Sequence, residues 1–328
     1  MNTKVNPPRW FGILALLVSV NQPAIAAELF EDFNLPPDPV HWRAHGDTSL
    51  FAWNPAGHLE VTWDSSRTNS YFLRPLNHVL GRDDDFAFAF DLTLRSVMLG
   101  VTPNKTNTFE IAIGFINFVH ATHTNFFRGK GTGTVKNLVE FDWFPDSGFG
   151  ATLWPAVWST NASLSYRGPD DYTLITLPLN IPLRVAMNYT AANRTLRTII
   201  TTNGMVFGPV NDLVLAPSFT DFRVDTFAIS SYSDAGSTGS IRATGEIDNI
   251  AITLPPAPVT DLTMVSDGLD WSVRFLSRTN WTYQLQHTTT FDAWGNEGTE
   301  GAGTGEWLSF PAITSGTQHF WRVQAYRP

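Results

Sequence analysis

From residue 28 onward, large apolar residues alternate with small or polar ones in short runs, and each run ends in a cluster of Gly, Pro, Asn or Asp. Period two sends successive side chains to opposite faces of an extended backbone, whereas a helix needs apolar positions three and four apart. Leu59-Glu60-Val61-Thr62-Trp63 and Phe86-Ala87-Phe88-Ala89-Phe90 alternate cleanly. Phe109, Ile111, Ile113 and Phe115 alternate with Glu110, Ala112, Gly114 and Ile116, so one face is core and the other nearly bare. Leu183 to Tyr189 and Leu196 to Thr202 flank the turn Ala191 to Arg194, and Asn203-Gly204 signals a tight turn after them. Asp221–Ser230 and Gly245–Leu254 read as two further strands. The fold class this predicts is all-β, with antiparallel strands joined by turns.

Composition narrows the class. The 328 residues include 24 Gly, 21 Pro, 24 Phe and 12 Trp with 16% charged residues, a mixture unsuited to helical bundles. A formal charge of −9 with no Lys/Arg cluster argues against nucleic-acid binding and anionic membrane surfaces, which rely on displaced counterions. The absence of Cys excludes disulfides, thiolate metal sites and thiol nucleophiles. Lys4 and Arg9 precede the apolar run Phe11 to Val20, and Ala24-Ile25-Ala26 supplies small residues for cleavage, so residues 1–26 are expected to be a signal peptide. Ten apolar residues fall short of the roughly 20 that span a bilayer. The expected mature chain is secreted, whether extracellular, on the cell surface or periplasmic.

Residues 27–254 are expected to form the main domain. The stiff segment 255–258, Pro-Pro-Ala-Pro, is a linker, and residues 259–328 form a small β-sandwich, in which Trp271, Val273 and Phe275 alternate with Ser272 and Arg274. The Gly/Thr/Glu stretch from Gly295 to Glu306 reads as a mobile loop.

The segment richest in chemistry is Asn137 to Gly150. On a strand, Leu138, Glu140, Asp142 and Phe144 share one face, while Val139, Phe141 and Trp143 share the core face. Two carboxylates roughly 7 Å apart on one face need a compensator. That compensator is a divalent cation, an arginine or lysine, or a proton shared at an active site.

Val139-Glu140-Phe141-Asp142, followed by an aromatic, a proline and Asp146, resembles the metal-binding strand and loop of the L-type (legume) lectins. These belong to the concanavalin A-like lectin/glucanase superfamily, whose fold is a jelly roll of two packed curved sheets. The resemblance implies that Glu140 and Asp142 hold metal, that Phe144 gives calcium its main-chain carbonyl, and that Asp146 stands where the family has an Asn binding calcium and sugar. Ala151 and Ala156 stand where the family has a further Asp and a His. Val185 to Thr202 resembles the paired strands of laminin G-like modules, Ile247 to Ile252 their closing strand pairing near the N-terminus, and Phe30 to Phe33 with Trp42 their opening strand. The C-terminal sandwich is similar to a fibronectin type III module.

The same superfamily includes retaining glycoside hydrolases with Glu-x-Asp-x-Glu on one strand, but the third position here is Phe144. Retaining hydrolysis needs a second carboxyl about 5 Å from the first, which Glu110 or Asp225 would have to supply. A polysaccharide lyase would draw on His120, His123 and Arg128, the arginine neutralising a uronate. Trp154 and Trp158 offer indole faces on which a pyranose can stack. The expected ligand-binding set is therefore Glu110, Arg128, Glu140, Asp142, Asp146, Trp154 and Trp158. The reading is a secreted, calcium-assisted glycan or polysaccharide binder, with a glycoside hydrolase or lyase and a structural surface module as alternatives. The sequence leaves the oligomeric state open.

Overall fold

The computed structural model describes residues 27–128, 136–159, 172–219, 221–268, 270–312 and 318–327. The expected signal peptide lies outside the described residues. Alternation becomes strands almost throughout, and they assemble into four antiparallel sheets. A seven-stranded sheet runs Thr173–Leu174, Thr152–Trp158, Leu138–Phe144, Ile111–Ile116, Val224–Ser231, Ser70–Leu80 and Arg43–His45. A nine-stranded sheet packs behind it along Met205–Val206, Thr195–Thr202, Leu183–Thr190, Phe86–Leu99, Ile241–Leu254, His58–Asp64 and Phe51–Asn54, with Leu213–Val214 also paired to Thr195–Thr202. Ala27–Glu31 pairs with the C-terminal end of Ile241–Leu254, Ala27 opposite Leu254, so the first and last strands of this unit lie side by side.

The core between these sheets is aromatic. Phe88 from the nine-stranded sheet meets Phe115 and Phe227 of the other at ring-centroid distances of 4.9 and 5.7 Å, and Phe90 meets Phe141 at 5.7 Å. Val139, Phe141 and Trp143 are buried on this inner face, so Glu140 and Asp142 emerge on the outer one. The Asn203-Gly204 turn has φ of 50° and 75° at its two central residues, a left-handed pair that lets adjacent strands keep their twist.

Two three-stranded sheets follow the proline segment. One runs Thr260–Asp267, Asp270–Leu276 and Trp307–Ala312; the other runs Gly295–Ala302, Thr282–Thr288 and Phe320–Tyr326. Val273, Phe275, Trp281, Tyr283, Leu285 and Phe310 give them a separate core. The stretch expected to be a mobile loop is in fact an edge strand over Gly295–Ala302, with Leu285 opposite Glu297. Ladder hydrogen bonds hold it, together with Gln284 Nε2 donating to the Glu297 carbonyl (3.1 Å) and Trp321 Nε1 donating to the Glu297 carboxylate (3.0 Å). Composition does not register backbone pairing of that kind.

Asp84, itself buried, joins the two units. Arg278 Nη2 lies 2.6 Å from its Oδ1, and Arg327 contacts its Oδ2. Beside this pair, the His78 ring stands 5.6 Å from that of Trp281, and Asn280 Nδ2 donates to Asp83 at 2.6 Å.

Candidate functional site

The outer face of the seven-stranded sheet carries two distinct places, one filled and one open. In the filled one, Glu140 and Asp142 do share a face, but they are 0% and 1% exposed, and Glu110 on the neighbouring chain segment is 6% exposed. Arg128 lies over all three acids. Its Nη2 contacts Asp142 and stands 3.4 Å from Glu140 Oε2, while its Nε stands 3.3 Å from Glu110 Oε1. The guanidinium is also 5.4 Å from the Tyr232 ring centroid and 5.7 Å from that of Trp158. Tyr232 donates its hydroxyl hydrogen to Glu140.

Local chemistry explains how the arginine arrives there. Asn117 caps the short helix Phe118–Ala121, accepting from His120 N (3.1 Å), and Asp225 Oδ1 accepts from Phe118 N at 2.9 Å. Tyr71 donates to the Ala121 carbonyl at 2.8 Å, and Asn69 Nδ2 to that of Phe126 at 2.8 Å, drawing the segment onto the sheet. Phe126 is buried against Tyr232, their centroids 5.8 Å apart, and Arg128 follows two residues later.

This arrangement corrects several expectations. Glu110, Glu140 and Asp142 are not available to a ligand or for hydrolysis, because a guanidinium and a covering chain segment stand between them and water. Arg128 neutralises this chain's own acids rather than a uronate. Trp158 is buried, at 6% exposure. Asp225 is engaged with the helix, and it also accepts from Thr226 Oγ1 (2.9 Å). The His120 ring contacts Asn137 Nδ2 (3.3 Å), and that of His123 accepts from Asn125 N (3.1 Å). The residues do not fit the calcium site expected at Glu140, Asp142, Phe144 and Asp146 either. The cation against both strand carboxylates is Arg128, Asp146 is exposed and accepts from Gly148 N (2.8 Å), and among the described residues no group of three or more His, Asp or Glu side chains is set to hold a metal ion.

Three acids around one guanidinium leave an excess of negative charge in a dry place. Burial pushes Glu110 up to about 7 against the pull of Arg128, with Asp142 adding to the rise. Burial and then Asp142 push Glu140 well above the usual carboxylate range, and Asp142 is itself raised by burial against the pull of Arg128. Glu110 Oε1, Glu140 Oε2 and Asp142 Oδ1 lack hydrogen-bond partners among the described residues. Two protons retained on Glu110 and Glu140 would cancel the excess charge and supply donors to this cluster.

The open place lies farther along the same face. There a cleft of about 620 Å³ is bordered by the aromatic side chains Phe144, Phe149, Trp154 and Tyr172. Phe149 is 60% exposed, with Tyr172 5.4 Å from it, and Phe144 is 6.4 Å from Trp154. The loop after Phe144 is built from its own polar groups: Asp146 closes a turn on Gly148 N, Ser147 N donates to the Gly150 carbonyl (2.8 Å), and the Ser147 and Thr152 hydroxyls bond at 2.7 Å. The opposite wall carries Asn107 and Thr108. Lys105 Nζ, 2.6 Å from Asp234, ties that loop down, and Gly239 passes so close that a Cβ there would sit 1.8 Å from the Thr108 carbonyl oxygen. Phe144, Asp146 and Trp154 thus line the cleft, while Glu110, Glu140, Asp142 and Trp158 lie against Arg128. Sequence reasoning missed Phe149, Tyr172, Asn107 and Thr108. The flanking glycines of Phe149 were the only signal, since a bulky ring between two turn glycines has little chance of burial.

No protein-family model matches the sequence, and no curated protein matches it. Solved structures align with it at low identity. Peanut lectin aligns over 71% of this chain and 100% of its own, with TM-score 0.41 and 12% identity. The seed lectin of Lotus tetragonolobus aligns over 71% and 99% (TM-score 0.44, 13% identity), and the Emp47p carbohydrate recognition domain over 70% and 98% (TM-score 0.40, 12% identity). Two packed antiparallel sheets, closed by pairing of the first strand with the last, decide the architecture. The fold is an antiparallel two-sheet jelly roll. Within the jelly roll, the acids of the strand bearing Glu140 and Asp142, which the sequence placed on one face, are silenced by Arg128, a residue that the strand itself does not contain. No helix among the described residues is long and apolar enough to cross a membrane.

Proposed function

We propose that this is a secreted, lectin-like protein that holds a glycan or polysaccharide in the aromatic cleft without cleaving it. The observation that carries the reading is the cleft itself, where Phe144, Phe149, Trp154 and Tyr172 surround a space of sugar size with Asn107, Thr108 and Asp146 beside them. The carbon-bound hydrogens of a pyranose suit aromatic faces, and its hydroxyls suit amide, hydroxyl and carboxylate groups. Binding without turnover is supported by the burial of Glu110, Glu140 and Asp142, the acids that a hydrolase would have used. Calcium has no part in this reading, because Arg128 already supplies the positive charge at those carboxylates.

The test is a glycan array probed with the full chain, with calcium and with a chelator, alongside Trp154→Ala. Retention of a defined glycan in both buffers, lowered at least tenfold by Trp154→Ala, supports the proposal. Release of new reducing ends or unsaturated uronates from a polysaccharide panel, or failure to retain any glycan, defeats it.

A further inference from the structure

The small C-terminal sandwich carries a second group of rings in contact with solvent. Register sets Asn296, Gln286 and Arg322 side by side across three strands, with Thr288 and Phe320 forming the next such row. The polar row is already oriented: Gln286 Nε2 donates to Asn296 Oδ1 (2.9 Å), and Arg322 Nε donates to Gln286 Oε1 (2.8 Å). The Arg322 guanidinium lies 4.4 Å from the Trp294 ring centroid. The turn between strands 282–288 and 295–302 projects Phe291, 58% exposed, 3.9 Å from Phe320 and 6.1 Å from Trp294 between centroids.

Phe291 has φ of +64°, a conformation that bulky side chains rarely take and that carries a conformational cost. Thr288 Oγ1 holds it there by accepting from Phe291 N (3.1 Å) and Thr290 N (3.3 Å). A ring held in a costly conformation and displayed to water, next to an amide and guanidinium row that is fixed in place, makes a small patch of mixed chemistry on the surface. Its size points to the partner. Three rings at the end of one small sheet fall short of the roughly 800 Å² per side that a specific protein interface buries. They match one or two sugar rings, whose apolar faces stack on aromatics while hydroxyls meet Asn and Arg donors.

We propose that Phe291, Trp294, Phe320 and Arg322 form a second glycan-contact site, independent of the cleft in the jelly roll. The two sites then act on one polymer with the gain that tethering gives. The experiment is a depletion isotherm of the full chain on cellulose, chitin, β-1,3-glucan and xylan, for wild type, Phe291→Ala/Trp294→Ala, the ring-keeping Phe291→Tyr/Trp294→Phe, and Trp154→Ala. The expected result is at least a tenfold loss in the alanine pair on a probe that the wild type retains, with recovery in the ring-keeping pair and unchanged melting temperature. Equal retention by wild type and the alanine pair on every probe, or no retention by the wild type, overturns the proposal. If only Trp154→Ala loses retention, the second site falls while the cleft reading stands; if only the alanine pair does, the cleft reading falls and the second site stands.

Discussion

Arg128 shows how one side chain decides what a motif can do. The two carboxylates were legible on one strand face, because pleating is a local rule, and an arginine was among the compensators that the spacing demanded. That Arg128 is the one was not legible. Its approach depends on Asn69, Tyr71 and Asp225 holding a segment from elsewhere in the chain, and long-range pairing of that kind leaves no periodic trace. Arg128→Ala should strand three buried acids, with a loss of about 3–5 kcal/mol, readable as a lower midpoint in denaturant. Glu110, with its carboxyl pushed up to about 7, binds a proton more tightly in the folded than in the unfolded chain. Its contribution to stability is therefore fully present below its ordinary value near 4.5 and is lost as pH rises to about 7. His78, lowered to about 4 by burial, acts in the opposite sense over the acid range, so the overall profile mixes the two. The difference isolates Glu110: Glu110→Gln should melt above wild type at pH 8, and that advantage should shrink towards pH 5. A gap that does not change with pH would contradict it.

Strands were more legible than the loops between them. Phe86-Ala87-Phe88-Ala89-Phe90 opens a longer strand, Phe86–Leu99, with its three Phe side chains buried, because burial of one face enforces period two. The hairpin over Leu183–Thr190 and Thr195–Thr202 follows for the same reason. Gly295–Ala302 was misjudged because an edge strand needs only one backbone partner and tolerates glycine and exposed polar side chains. The cleft was the least legible part. Its walls come from loops near residues 106–108 and 146–149, which touch only after the sheet has formed, so Asp146 and Trp154 were found and Asn107 and Phe149 were not. At this scale Gly204→Ala is a test of turn geometry. With φ at +75°, a Cβ is strained even where space is open, and the variant should lose about 1 kcal/mol in urea unfolding without altered glycan retention.

The whole molecule is two cores whose junction centres on one buried carboxylate. Asp84 receives Arg278 and Arg327 from the C-terminal sandwich, and the Arg327 guanidinium also lies 4.8 Å from the Trp281 ring centroid. Asp84→Ala leaves two cations facing each other without their shared anion, so the sandwich should melt separately. Calorimetry is expected to resolve two transitions where the wild type gives one, and a protease should cut the 255–259 segment sooner. Superimposable calorimetric traces would show that the junction does not couple the units. A pull applied at the C-terminus reaches the jelly roll by two routes, along the proline-rich tether and through Asp84 at the foot of the Phe86–Leu99 strand. A load on the C-terminal sandwich is thereby shared with a sheet that must unzip many ladder bonds to yield.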